Sequence, residues 1–252
     1  IGYQALRSLN GSGSTGAGLV AIGYQSLYTN TSGHLNVAIS QAALRSNTSG
    51  SQNIGIGYGA GYWNTTGSDN VFIGQESGAG STGLTTGSSN IAVGRLALNQ
   101  YTTGSYNSVF GRSALGGNKT GNHNTVLGYF ASLYNVAATT TVAIGSYSSY
   151  GAAVNYSNQG GTTVGYQSGY SFQTGSHYNT LIGYDAGYNI TTGQYNTYLG
   201  SFGTSGGVTT GSNNILIGQD VRSGLTVTAS NQLNVGNLIF GTGLGSAATL
   251  ST

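Results

Sequence analysis

An apolar triplet closed by glycine recurs along the whole chain, and it constrains the fold more than any other feature. It reads VAIG at 20–23, IGIG at 54–57, VFIG at 71–74, IAVG at 91–94, SVFG at 108–111 and TVLG at 125–128. It continues as VAIG at 142–145, TTVG at 162–165, TLIG at 180–183, TYLG at 197–200 and ILIG at 215–218. At 37–40 the copy is VAIS, with Ser40 in the glycine place. Ile1-Gly2 reads as the tail of an earlier copy, and LNVG at 233–236 as a late one. Successive closing positions stand 17 or 18 residues apart, stretched to 20 or 21 where polar residues such as 80–83 and 157–160 are inserted. Insertions that spare the triplet belong in loops on one side of a stack of repeats.

Other columns keep the same register. Four residues before the closing glycine stands Asn, as in Asn36, Asn53, Asn70, Asn90, Asn107, Asn124, Asn179, Asn196 and Asn214. Three residues before that Asn stands Gly, as in Gly33, Gly50, Gly67, Gly87, Gly104, Gly121, Gly193 and Gly211. The third residue after the closing glycine is small (Ser26, Ala43, Ala60, Ser77, Ala97, Ala114), and the fifth is often tyrosine: Tyr28, Tyr62, Tyr150, Tyr170 and Tyr188.

A 17-residue unit is too short for a helical-hairpin repeat, which needs about 33 residues or more. Frequent Gly and β-branched residues in the periodic runs also oppose helix. The unit accommodates two short strands and two turns. One strand ends at the closing glycine, and the Y-x-[AS]-[GL]-Y run after it reads as the second. The T-T-G-S-x-N stretch supplies the return turn, since Gly takes positive φ and Asn bonds its own backbone. Such a unit cannot bury its apolar face alone, but stacked copies pair each backbone group with the coil above and below. The predicted fold is all-β: a parallel β-solenoid, or β-roll, with one coil per 17–18 residues. Residues 1–230 form the repeat array of about 13 coils, and residues 231–252 a C-terminal closing segment. Each column becomes a ladder, with Asn running amide to amide and Tyr stacking ring on ring.

Composition removes the competitors. The 252 residues include 46 Gly but no Pro, which excludes collagen with its proline-rich Gly-X-Y repeat. Only 4% are charged and the net charge is +2, while 19 Tyr, 6 Phe and 1 Trp are present. Disordered chains show the reverse, with high charge and few aromatics. The six basic residues (Arg7, Arg45, Arg95, Arg112, Lys119 and Arg222) are scattered and form no nucleic-acid patch. No apolar run approaches the roughly 20 residues of a membrane-spanning helix. Without Cys, no disulfide staples the fold. Residue 1 is Ile and no signal peptide is visible, so the chain reads as a fragment or processed form of something longer.

The triplet also speaks about partners. The residue before the closing glycine is always a sizeable apolar one (Ile22, Ile39, Ile56, Ile73, Val93, Phe110), and we expect it to be the buried position, opposed by the small residue at plus three. The residue before it faces the other way and should be polar if it met water. It is instead Ala21, Ala38, Gly55, Phe72, Ala92 and Val109. A strand apolar on both faces is covered on both. A two-sheet coil covers only one, so the second face is expected to pack against other chains.

The pattern N-x-[VA]-[AI]-[IV]-G-Y-x-[AS] resembles the head repeats of trimeric autotransporter adhesins, and the long GYxAL…NTTG-N repeats of phage tail fibres and related surface proteins. The resemblance covers residues 1 to about 220 and departs from the adhesin heads in a repeat longer by about three residues. It implies a left-handed roll, a homotrimer, and an extracellular, cell-surface or virion location. The tail from Asn231 resembles the segment that closes such arrays, after which fibre proteins often carry a self-cleaving chaperone domain.

Little in the sequence suggests chemistry. The acids Asp69, Glu76, Asp185 and Asp220 and the histidines His34, His123 and His177 are dispersed, with His34 and His123 in the turn beside the Asn column. Catalysis needs such groups brought together. Gly55-Ile56-Gly57 and Gly241-Thr242-Gly243 are followed by no helix and are not phosphate loops. Asn-x-Ser/Thr sequons at Asn30, Asn47, Asn64 and Asn189 arise from the repeat consensus. The expectation is a non-enzymatic structural or adhesive fibre module: a shaft or receptor-binding part of a phage tail fibre or bacterial surface adhesin, without cofactor or metal. It would assemble with itself, engage no nucleic acid, and enter no membrane. Tyr28, Tyr62, Tyr150, Tyr170 and Tyr188 either pack on neighbouring coils or offer aromatic rows to a host-surface glycan or receptor. The alternatives are an ice-binding solenoid, weakened because Thr clusters in the turn, a glycan-binding solenoid using the Tyr columns, and a polysaccharide-degrading tailspike, weakened by scattered acids.

Overall fold

A computed structural model describes residues 2–10, 17–81, 83, 85–152, 155–203, 208–221 and 226–241. Thirteen parallel three-residue strands form a β-solenoid whose turns follow the 17-residue period. The chain divides into two compact units, Ile1–Val126 and Leu127–Thr252. Ile1, Arg222, Thr242, Gly243, Thr82 and the end of the closing segment, 242–252, lie outside the described residues.

In the first unit the strands are β1 (Val20–Ile22), β2 (Val37–Ile39), β3 (Ile54–Ile56), β4 (Val71–Ile73), β5 (Ile91–Val93) and β6 (Ser108–Phe110). Each pairs in parallel with the next, with like columns in register: Ala21 opposite Ala38, Ala38 opposite Gly55, Gly55 opposite Phe72. Strand β7 (Thr125–Leu127) spans the boundary between the units. The second unit continues with β8 (Val142–Ile144), β9 (Thr162–Val164), β10 (Thr180–Ile182), β11 (Thr197–Leu199), β12 (Ile215–Ile217) and β13 (Leu233–Val235), again parallel in sequence order. The chain then reverses, and β14 (Ile239–Gly241) pairs antiparallel with β13. Parallel pairing thus reaches into the 231–252 segment before the reversal ends it.

The core lies behind the middle residue of each triplet, which corrects the expected orientation. Ala38, Phe72, Ala92, Val109, Val126, Ala143, Leu181 and Leu216 are buried, whereas Ile22 is 48% exposed and Ile73, Phe110, Leu127, Ile182 and Ile217 also face outward. The small plus-three residue is buried as expected, but it opposes the middle residue rather than the Ile. Ser77 Oγ, for instance, donates to the Ala92 carbonyl at 2.6 Å. An alternation argument cannot choose a face when all three residues are apolar. The packing of neighbouring turns decides it: Ala38 and Ala92 lie inside, but so does Phe72, where Gly61 and Gly78 leave room for its ring.

The second predicted strand is also corrected. The Y-x-[AS]-[GL]-Y run is a chain of tight turns. Around the third coil, Ala60 N donates to Gly57 O, Tyr62 N to Gly59 O and Asn64 N to Gly61 O, at 3.0–3.1 Å. Alternate residues take the left-handed region, even bulky ones such as Leu27 (φ 48°) and Leu44 (φ 47°). Each costs on the order of 1 kcal/mol. Coil-to-coil bonds hold them there, as in Leu27 N to Ala43 O at 3.1 Å and Leu44 N to Ala60 O at 2.9 Å.

Side-chain volumes compensate between coils. Leu44 fills the space left by Gly55, whose Cβ would lie 2.8 Å from Leu44 Cγ. Phe72 in turn requires Gly61 and Gly78, whose Cβ atoms would meet its ring at 2.7 and 2.0 Å. The closing glycine is needed for backbone reasons. Gly57 has φ +127°, and a Cβ there would stand 2.6 Å from Gly74 O. Ser40 adopts the same kind of backbone at φ 106° and carries its side chain at a conformational cost.

Candidate functional site

Two buried Asn ladders stiffen the return turn. In the first, each side chain accepts from the next coil: Asn53 N and Asn70 N donate to Asn36 Oδ1 and Asn53 Oδ1 at 2.9 and 3.0 Å. The amide groups of Asn36, Asn53, Asn90 and Asn107 each donate to a turn Gly carbonyl of the following coil, at 2.8–3.0 Å. A second ladder consists of the sequon residues themselves. Asn47 Nδ2 donates to Asn30 Oδ1 at 2.7 Å, and Asn64 Nδ2 to Asn47 Oδ1 at 3.1 Å. Asn30, Asn47 and Asn64 are fully buried, so these sequons present no accessible amide. The two ladders converge: Gly50 O accepts from both Asn36 and Asn47, and Gly67 O from both Asn53 and Asn64. In the second unit the sequon column still holds buried Asn135 but turns apolar in the coils closed by Gly165 and Gly183. Phe172 and Ile190 take its place in a core with Leu181, Tyr198, Phe202 and Leu216.

The outward face of the triplets is the main surface feature. In the first unit, Val20, Ile22, Ile73, Ile91 and Phe110 are exposed along it, and in the second Leu127, Ile182, Ile215 and Ile217. Parallel in-register pairing arranges the third-position residues in a straight apolar column within each unit, and beside it the first position is mostly apolar in the first unit but carries Thr162, Thr180 and Thr197 in the second.

The five predicted tyrosines fall into two groups. Tyr28 and Tyr62 bracket Arg45, whose guanidinium lies 5.1 and 5.4 Å from their ring centroids. Arg7 also lies over Tyr28 and donates to its hydroxyl. In the second unit Tyr150, Tyr170 and Tyr188 form the expected ladder, with centroids 5.1 and 4.9 Å apart and rings 21° and 0° from parallel. Tyr134 and Tyr147 pack against Tyr150 at 5.1 Å, extending the row into an aromatic cluster. Burial and neighbouring phenols push the Tyr188 hydroxyl above its ordinary range. All five rings are half-buried, a position that serves packing and contact alike.

The titratable groups stay apart. His34 Nδ1 meets Ser51 Oγ at 2.9 Å, His123 stacks on Tyr106 at 4.9 Å, and His177 Nδ1 accepts from Gln159 N at 3.1 Å. Among the described residues no three His, Asp or Glu side chains gather as metal ligands, and no helix is long and apolar enough to cross a membrane. Asp185 is buried, and desolvation raises its carboxyl above the ordinary range.

A cleft of about 410 Å³ opens beside Tyr62, lined by Tyr58, Gly59, Trp63, Glu76, Ala79, Gly80 and Asn99. Among its lining residues the sequence pointed to Tyr62 as a contact candidate and named Glu76 only as a dispersed acid. The signal for the others lay in departures from consensus: the single Trp of the chain, and the one Gly in a column that elsewhere carries side chains.

No family model matches the chain, and no curated protein or solved structure matches it.

Proposed function

We propose that this chain is a structural and adhesive fibre module, a shaft or receptor-binding part of a phage tail fibre or bacterial surface adhesin, that acts as a homotrimer and performs no catalysis. The observation that carries this reading is the outward apolar face of the solenoid. Contiguous exposed apolar surface marks interaction sites. A second copy of this chain suits that face for two reasons. Its ridges repeat at the same coil spacing, so they interdigitate along the stack. The net charge of only +2 opposes association little. The residue-level resemblance to trimeric adhesin heads and tail-fibre repeats supports three copies and an extracellular or virion setting. The test is the mass in solution by light scattering, expected at three times the 25.4 kDa of one chain. Ile73→Lys, on the outward face, should dissociate the assembly while leaving the β circular-dichroism signal intact. A wild-type monomer would refute the assembly.

The ice-binding alternative gains one observation. Thr162, Thr180 and Thr197 stand in register on the outward face of β9–β11. Against it, the turn threonines spend their hydroxyls on the next coil: Thr31, Thr48, Thr65 and Thr102 donate to backbone carbonyls at 2.9–3.0 Å. Clear thermal hysteresis would favour that reading over the fibre.

A further inference from the structure

We infer that the cleft beside Trp63 is a binding site for a neutral saccharide. It deepens the adhesive half of the reading above and stands apart from assembly through the sheet face. The cleft exists because two successive coils break the ladder rule together. In the coil closed by Gly57, the second position is Gly59, where other coils carry Gln25, Ala42, Glu76, Leu96, Phe130, Tyr147 or Gln167. The fifth and sixth positions of that coil are Tyr62 and Trp63, whereas the next coil offers only Ala79 and Gly80. Large rings thus stand above a notch of small residues, where the second unit has a continuous Tyr ladder. The notch is open at Gly59, where a Cβ would meet only Glu76 Cγ at 3.6 Å, whereas Gly80 packs so closely that a Cβ would lie 3.2 Å from Trp63 Cβ and 2.8 Å from Thr85 Cγ2.

The walls are held in place. Trp63 N donates to Ala79 O at 2.8 Å, and Glu76 N to Tyr58 O at 2.8 Å. Tyr62 and Trp63 meet edge to face at 4.7 Å and 67°, forming an aromatic corner, and Tyr58 is 48% exposed beside it. The Glu76 carboxylate has no hydrogen-bond or ion-pair partner among the described residues, and Asn99 adds an amide at the rim. Aromatic faces stack on the C–H face of a pyranose, while a carboxylate and an amide bond its hydroxyls. The volume lies within the roughly 300–1,000 Å³ usual for small-ligand sites. Aromatic corners with a carboxylate also suit quaternary ammonium groups. Here the Arg45 guanidinium already occupies the Tyr62 ring at 5.4 Å, so a second cation would meet its repulsion. A neutral sugar meets none.

The full chain would be screened on a printed glycan array, and the best neutral oligosaccharide then titrated in solution. Choline chloride serves as the cationic probe. Trp63, the only tryptophan, reports occupancy through its fluorescence. The decisive variant is Gly59→Gln, which fills the notch with a residue that its column already carries at Gln25 (φ 54°) and Gln167 (φ 52°). A saturable emission change with the saccharide, weakened about tenfold or more in Gly59→Gln and in Glu76→Gln, is the expected result. Circular dichroism and solution mass are expected to stay unchanged in both variants. Saturation by choline alone, no binder on the array, or saccharide binding indifferent to Gly59→Gln would each overturn the assignment. The solution mass, read separately, decides assembly whatever the sugar result.

Discussion

Replacing Asn53 by Ala tests whether the Asn ladder holds the coils together. Asn53 Oδ1 accepts from the Asn70 backbone N–H at 3.0 Å and from Asn70 Nδ2 at 3.1 Å, and its own Nδ2 donates to Gly67 O at 2.8 Å. Truncation removes all three bonds. Two of the groups left behind keep another partner: Gly67 O still accepts from Asn64 Nδ2 at 2.9 Å, and Asn70 Nδ2 still donates to Gly87 O at 3.0 Å. The Asn70 backbone N–H is left buried without an acceptor. An orphaned buried donor costs about 1–3 kcal/mol and each compensated loss about 0.5–1.5, so the expected destabilisation is about 2–6 kcal/mol. The exposed control Ser49→Ala, on the same coil, should stay within about 0.5 kcal/mol. Urea unfolding measures the total. Native-state hydrogen exchange locates it, because repeat arrays respond mainly at neighbouring coils. The amides around Asn70 should lose protection first. A cost for Asn53→Ala no larger than for Ser49→Ala would refute the ladder as a source of stability.

Three further outcomes are expected. Ser40→Gly relieves a non-glycine residue at φ 106° and should stabilise by about 1–2 kcal/mol, read as a rise in thermal midpoint. Gly50→Ala drives a Cβ to 2.2 Å from Gly67 O and should destabilise by about 3 kcal/mol, measured by the same urea titration. Burial raises the Asp185 carboxyl above its unfolded value, so its contribution is intact below the unfolded pKa and lost as pH rises through the folded one. Asp185→Asn should therefore raise the thermal midpoint at pH 7 and leave it nearly unchanged at pH 3; equal shifts at both would contradict that coupling.

The sequence alone determined the period, the register of the Gly and Asn columns, and hence the parallel solenoid. It could do so because covalent and structural periods coincide, so like residues must stack on like. The sign of the strand was not legible. Val-Ala-Ile is apolar throughout, and only the packing of Gly55 and Phe72 against Leu44, Gly61 and Gly78 from neighbouring turns selects which face is inside. Nor could the Tyr-x-Ala-Leu run be told from a strand. Its residues alternate into positive φ because tight three-residue closures must wrap a narrow core, and coil-to-coil bonds outweigh the local preference of Leu27 and Leu44. The cleft was hidden for the opposite reason to the ladders. It is made by single exceptions, Gly59, Trp63, Ala79 and Gly80, which a consensus averages away and which only stacking brings to one place.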